Sequence, residues 1–156
     1  MKKKGADHPS TLDTANGLAA DLRELGDHQA ARELGEDNLA RRRRVQGEDH
    51  PDTLGSAGNL ANHLRMLGEH QAARDLDEDA LARSRRVLGA DHPDTLEAAD
   101  GLAADLRKLG EHQAARELDK ALLSAGEAAG LLAGALADDR EELRHGSEPL
   151  GHELAV

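Results

Sequence analysis

The chain has 156 residues, a formal net charge of −11 and no Phe, Tyr, Trp or Cys. The lack of cysteine excludes disulfides and thiolate chemistry, and an apolar content dominated by Leu and Ala favours helices over strands. Charges of both signs are interspersed, which is typical of a solvated helical surface. The sequence has no apolar segment of signal-peptide or membrane-spanning length. We therefore expect a cytoplasmic protein that does not enter a membrane.

A motif recurs along the chain with a period of 42 residues. The tripeptide Asp-His-Pro is centred on His8, His50 and His92. Glycines and the sequence His-Gln-Ala-Ala-Arg repeat with the same spacing, at Gly5, Gly47 and Gly89, at Gly26, Gly68 and Gly110, and at His28, His70 and His112. A period in this range indicates stacked units of supersecondary structure that share one continuous core.

The first unit, residues 6–47, has the pattern of two helices. Pro9 suits a first helical turn, and Asp7 or Ser10 can cap that helix. Gly26 is expected to end it in a left-handed conformation, and a second helix is expected from Asp27 or His28 up to Gly47. The apolar residues of the first helix recur at steps of three and four, which is typical of one helical face: Leu12, Ala15, Leu18, Ala19, Leu22 and Leu25.

Residues 48–89 and 90–126 repeat this pattern, and the flanking segments depart from it. Residues 1–5 correspond to the end of a second helix, so they are either the remnant of a preceding repeat or a short basic leader. Residues 127–145 are predicted to form a terminal helix and 146–156 a tail. Gly126, Gly130 and Gly134 lie four residues apart and could pack closely in a homodimer. Whether the sixth helix breaks at Gly126 stays open.

The spacing within each unit resembles the tetratricopeptide repeat. In the second unit the matching residues are Leu60, Ala61, Leu64, Gly68, Ala73 and Ala80. The long period and the His-Pro-Asp junction are similar to the repeats of kinesin light chains and of actinobacterial arrays that accompany signalling ATPases. The resemblance covers residues 5–125. It implies an all-α, right-handed α-solenoid of three helical hairpins with a C-terminal capping helix.

In that family the first helix of each hairpin lines a concave groove, which the resemblance makes the expected ligand surface. Asparagine can pair with a peptide backbone and arginine offers a fork for carboxylates. The candidate residues on this face are Asn16, Arg23, Asn62, Arg65, Asp100 and Arg107. The sequence thus predicts a non-catalytic module that binds a protein or peptide, which could be acidic. Alternatively, the arginines only complement the helix dipole near each C-terminus.

Other classes of function fit the sequence less well. Arg41 to Arg44 occupy consecutive helical positions about 100° apart, so they cannot form one basic stripe for nucleic acid. Asp37 precedes Arg41 by four residues and is expected to pair with it, while Arg42 falls on the apolar face and is expected to extend its head group to water. One histidine per junction does not converge on a metal ion. We expect no metal, no cofactor and no enzymatic activity.

A second hypothesis keeps the fold but not the ligand. The chain could be a structural or sensor fragment of a larger array attached to a signalling ATPase, with no groove ligand of its own. The interpretation of residues 1–5 as the end of a preceding repeat favours this alternative.

Overall fold

A computed structural model of the protein describes residues 5–126. Within that range five helices have defined ends, α1 (Pro9–Glu24), α2 (His28–Gln46), α3 (Pro51–Met66), α4 (His70–Val87) and α5 (Pro93–Lys108). A sixth, α6, runs from 112 to the end of the described range at 126. The described residues contain no strand, and the predicted all-α class is confirmed. The predicted terminal helix, its glycine face beyond Gly126 and the tail lie outside the described residues.

The Asp-His-Pro motif begins every odd-numbered helix. The Nδ1 atom of His50 accepts a hydrogen bond from the backbone N–H of Asp52 at 3.2 Å, and His8 and His92 cap α1 and α5 in the same way. The proline that follows fits the first turn, where its missing N–H would have no helical partner. Our prediction that Asp7 or Ser10 caps α1 is wrong, because the ring of His8 takes that position.

Glycine ends the odd-numbered helices, as predicted. Gly26, Gly68 and Gly110 have φ angles of 83°, 77° and 84°, a region that side chains with a Cβ rarely adopt. This conformation turns the chain so that the N–H of Asp27 reaches the carbonyl of Leu22 at 2.9 Å. Each hairpin therefore closes within a few residues, which holds its two helices side by side.

The six helices stack in chain order into two rows. Each helix from α1 to α4 contacts its successor along the chain; α1 also contacts α3, and α3 contacts α5. Ala115, Leu118 and Leu122 of α6 pack in the cluster that contains Leu102 and Leu106 of α5. Among the helices with defined ends, α2 and α4 do not contact each other. The odd-numbered helices therefore form the closer, inner row. The apolar core lies between the rows, in one cluster around Leu39, Leu60 and Leu64 and a second around Leu81, Leu102 and Leu106.

The leucines that contribute to this core differ between equivalent helices. Leu60 in α3 and Leu102 in α5 are 6% and 7% exposed, whereas the equivalent Leu18 in α1 is 51% exposed. Both α3 and α5 pack on the helix that precedes them, and α1 has no preceding helix in the described part of the chain. Leu25, which we assign to the same apolar face, is also exposed, whereas the equivalent C-cap residues Leu67 and Leu109 are partly buried.

Candidate functional site

The predicted groove residues all lie on the inner row of helices. Asn16 and Arg23 belong to α1, and Asn62 and Arg65 to α3; these four side chains are partly buried. Asp100 and Arg107 belong to α5 and are exposed. That these six residues bind a ligand stays a prediction, and their contacts within the chain bear on it.

All three arginines of the predicted set form ion pairs within the chain. Arg23 binds Glu24 at 2.8 Å, and Arg107 binds Asp119 at 2.5 Å. Arg65 donates to two buried carboxylates, described below. We had expected guanidinium groups open to a ligand. Their charges are instead compensated by neighbouring acids, so the groove presents less positive charge than the sequence suggested.

Polar side chains fill the first junction, which we define as the contact of α1 and α2 with α3. Asn38 of α2 is 1% exposed. Its side-chain NH₂ group donates to the carbonyl of Leu12 at 3.0 Å and to Oδ1 of Asn16 at 2.5 Å. Asn16 in turn donates to Oγ of Ser56 on α3 at 3.1 Å. The side chain of Asn16 thus links the first two hairpins by hydrogen bonds.

Arg42 occupies the rest of the first junction. Its guanidinium group reaches from α2 between the inner helices, lying 2.5 Å from Oδ1 of Asp13 and 3.4 Å from Oδ2 of Asp52. The side chain is only 1% exposed. We predicted that this group would extend to water. That prediction is wrong, because the carboxylates of α1 and α3 compensate its charge where it is buried.

We define the second junction as the contact of α3 and α4 with α5. It contains a cavity of about 160 Å³ at the position that Asn16, Asn38 and Arg42 fill in the first junction. Its lining includes the 42-residue equivalents of the side chains that fill the first junction. Where the first junction has Asp13, Asn16, Asn38, Arg42 and Ser56, the second has Gly55, Gly58, Ala80, Ser84 and Ala98. The cavity therefore results from shorter side chains on the same backbone framework.

An ionic cluster closes the other end of the second junction. Arg65 donates through Nε to Oδ2 of Asp105 at 3.0 Å and forms a second ion pair with Asp77. Asp105 also contacts Nδ1 of His70 at 3.0 Å. Asp77 and Asp105 are 1% and 0% exposed. Burial raises the pKa of Asp77 to about 6, and the charge of Arg65 offsets only part of that effect.

The first junction has different residues at these positions. Gly35 and His63 are the equivalents of Asp77 and Asp105. His63 is 2% exposed, and its Cδ2 atom would lie 3.3 Å from a Cβ placed on Gly35. Burial lowers the pKa of His63, and the nearby charges of Arg23 and His28 lower it further. A neutral ring against glycine thus replaces the ionic cluster.

We did not predict this ionic cluster from the sequence, although the repeats contain a signal for it. Asp77 of α4 and Asp105 of α5 stand where the first junction has Gly35 of α2 and His63 of α3, so the charge changes at one position on each of two helices. The preceding Arg23 and Arg65 are identical in both copies. Two acidic substitutions beside an unchanged arginine indicate a new ion pair.

Most other arginines of the described residues are paired on the surface. Arg41 contacts Asp37 and Asp7, as Arg83 contacts Asp79 and Asp49. The predicted pair of Asp37 with Arg41 is therefore present, and Asp79 pairs with Arg83 in the same way. Within residues 5–126, no group of three or more His, Asp and Glu side chains is arranged to hold a metal ion. In the same range no helix is long and apolar enough to cross a membrane.

Comparison with known proteins supports the repeat interpretation. A family model for the tetratricopeptide repeat matches two overlapping segments, residues 10–85 and 52–128. No curated protein sequence matches the chain.

Solved structures give a second comparison. Two crystal structures of a Podosopora anserina putative kinesin light chain with nearly identical TPR-like repeats, one of them a point variant, are 29% identical to this chain. The variant has a TM-score of 0.73 and the other 0.71; the alignments cover 83% and 82% of this chain. Each alignment covers 61% of the solved chain, so this chain spans about three fifths of the length of the proteins it matches.

Proposed function

Because this chain belongs to the tetratricopeptide repeat family, we propose that it is a non-catalytic interaction module that holds an extended segment of a partner protein in the groove of α1, α3 and α5. Repeats of this family generally mediate contacts between proteins. The observation that carries the proposal is the cavity of the second junction, because it opens between two inner helices and is lined by Asn62 and Asn59. We also propose a cytoplasmic location, since the sequence has no cysteine for disulfides of an oxidising compartment.

The residues of the groove are unequally suited to this role. Asn62 lines the cavity and can pair with a peptide backbone. Asn16 is bound to Asn38 and Ser56, so it can take part only by giving up those contacts. Asp100 and Arg107 are exposed, but Arg107 is paired with Asp119. We therefore expect Asn62 to contribute more to peptide affinity than any other predicted residue.

The charge of the partner segment depends on which charged side chains of the groove are already paired. An acidic segment was expected to bind the three groove arginines, and each of these is already paired. Exposed carboxylates remain on the inner row at Asp94, Glu97 and Asp100. At physiological salt the screening length is about 8 Å, so these nearby groups outweigh distant ones. This favours a neutral or basic segment over an acidic one.

A library of extended peptides that vary in charge tests the proposal by titration against the whole chain. We expect modest affinity, because the peptide must be ordered on binding, and weaker binding in Asn62→Ala. Gln71→Ala on the outer helix α4 serves as the control and should bind like the wild type. If no peptide binds, the proposal is wrong. If peptides bind Asn62→Ala as tightly as the wild type, they do not bind through the cavity that carries the proposal.

The second hypothesis, a structural or sensor fragment of a larger array, is favoured by a specific observation. The ion pairs of Arg23, Arg65 and Arg107 serve the chain itself, as an array without a ligand requires. A complete lack of peptide binding in the titration would support it. The proposed homodimer concerns residues 127–145 and is tested separately by measuring the molar mass in solution.

A further inference from the structure

We propose that the cavity of the second junction is a binding site for a cationic side chain, the guanidinium group of an arginine in the partner segment. The inference deepens the proposed function and rests on it, because the cavity opens into the groove where the segment would lie. It assigns the chemical class of one side chain of the ligand.

The first junction provides the template for this site. There Arg42 inserts its guanidinium group between two inner helices and contacts Asp13 and Asp52. In the second junction the position of Arg42 is taken by Ser84, and the position of Asp52 by Asp94. Both residues line the cavity. The second junction thus keeps one of the two carboxylates that contact the arginine, as Asp94, but it has no arginine equivalent to Arg42.

The electrostatics of the cavity favour a cation. Three carboxylates line it, those of Asp77, Asp94 and Glu97, and in the described part of the chain Arg65 is the only basic residue among the lining. Arg65 is already bound by Asp77 and Asp105. An entering guanidinium group would therefore find carboxylates without meeting an uncompensated positive charge.

One buried acceptor in the lining has no partner. The side chain of Asp77 is 1% exposed, and its Oδ2 atom binds Arg65. Its Oδ1 atom is buried and has no hydrogen-bond partner among the described residues. A buried carboxylate oxygen without a partner is costly, and donors from a bound group remove that cost. The lining of the cavity thus includes a residue with a buried acceptor that has no partner among the described residues.

The size of the cavity matches a planar group. Cavities of about 150 Å³ in proteins hold ligands as large as benzene, and this one measures about 160 Å³. Its walls beside Asp94 are formed by Gly55, Gly58 and Ala98, which leave room that larger residues would fill. A guanidinium group has similar dimensions to benzene and carries five donors in one plane.

The test uses a blocked pentapeptide with one central arginine among alanines and the same peptide with neutral citrulline in its place. Each is titrated against the whole chain while the amide signals of Gly55, Gly58 and Ser84 are followed by NMR. We expect the arginine peptide to bind about ten- to a hundredfold more tightly, the range that a charge-assisted hydrogen bond contributes.

Three variants sharpen the result. Asp94→Asn should weaken arginine binding about tenfold or more, whereas Asp52→Asn, at the equivalent position already occupied by Arg42, should leave it unchanged. Ser84→Arg should abolish binding, because it reproduces Arg42 and fills the cavity from within. Circular dichroism verifies that each variant is folded. Should Ser84→Arg fail to fold, the half-exposed Asp94 still provides the decisive comparison.

Equal binding of the arginine and citrulline peptides would overturn the inference, and so would an Asp94→Asn variant that binds like the wild type. No binding of either pentapeptide to the wild type would also overturn it. The groove itself is judged by the longer peptides and Asn62→Ala, so the two proposals can fail independently.

Discussion

Gly101 shows how one residue enables the ionic cluster. A Cβ atom at this position would lie 2.7 Å from Oδ2 of Asp77 and 3.1 Å from Cζ of Arg65. Real Cβ atoms do not approach other atoms that closely, so the guanidinium group of Arg65 needs a residue without a side chain here. The equivalent Gly17 in α1 has no atom within 4 Å of such a Cβ.

This difference gives a matched pair of substitutions. Gly101→Ala should destabilise the protein by about 1–3 kcal/mol, because the added methyl group displaces the buried ion pair. Gly17→Ala should stabilise it by up to about 1 kcal/mol, because alanine is the better helix former. The free energy of unfolding in urea measures both. A neutral or stabilising Gly101→Ala would contradict the described geometry.

The buried carboxyl group of Asp77 predicts a specific dependence of stability on pH. Its pKa is raised from 3.8 to about 6 on folding, so the contribution to stability is present in full below 3.8 and is lost as pH rises through about 6. Arg65, Asp105, His70 and Glu97 surround this group and stay in place in Asp77→Asn. The wild type should therefore lose about 1–3 kcal/mol relative to Asp77→Asn between about pH 4 and about pH 7.

Unfolding in urea at several pH values measures this difference. The comparison between the two proteins removes the titration of groups common to both, including His63, whose lowered pKa acts in the opposite direction. A difference that does not change with pH would show that Asp77 stays ionised in the folded chain.

At the scale of the element, each inner helix depends on the helix before it. The δ-methyl group of Leu60 would lie 3.3 Å from a Cβ on Gly35 of α2, so α3 is held by the preceding hairpin as well as by α4. Leu18 occupies the same place in α1 and is half exposed. Leu18 and Leu60, at equivalent positions of the repeat, thus have different environments.

Truncating these two leucines measures the contribution of stacking. Leu60→Ala should cost about 2–5 kcal/mol, as expected for a buried leucine, and Leu18→Ala should cost less than about 1 kcal/mol because most of its surface is already in water. Urea unfolding provides both values. Equal costs would contradict the stacked arrangement of the hairpins.

The elements could be predicted from the sequence more completely than the candidate site. Helix positions follow from local signals, since Pro9 and Gly26 act within a turn of where they stand. The buried position of Arg42 and the cluster around Arg65 depend on partners about 30–40 residues away. The helical period places these arginines on a face, but it does not say which carboxylate reaches them across a junction. The roles of Asn16 and Arg65 therefore became clear only from contacts between hairpins.

At the scale of the whole molecule, the negative net charge opposes association. Adding nine positive charges on the histidines would reduce it from −11 to −2. Proteins with little net charge attract one another more readily. We expect light scattering to increase as the pH is lowered from about 7.5 to about 5.5. A constant signal over this range, in a chain still folded by circular dichroism, would contradict the prediction.

The two unlike junctions also restrict how such a chain can be lengthened or shortened. An in-frame deletion of residues 48–89 would preserve the 42-residue period and every helix-capping signal. It would nevertheless place Gly35 and Arg23 next to Asp105 and Gly101. Asp105 would then lack Asp77, the other carboxylate of its cluster, and a gap would remain where His63 had been. Duplication or loss of a complete hairpin therefore preserves the fold at each turn while mismatching the surfaces between turns. A segment that keeps one junction intact therefore includes both helices of one hairpin and the first helix of the next.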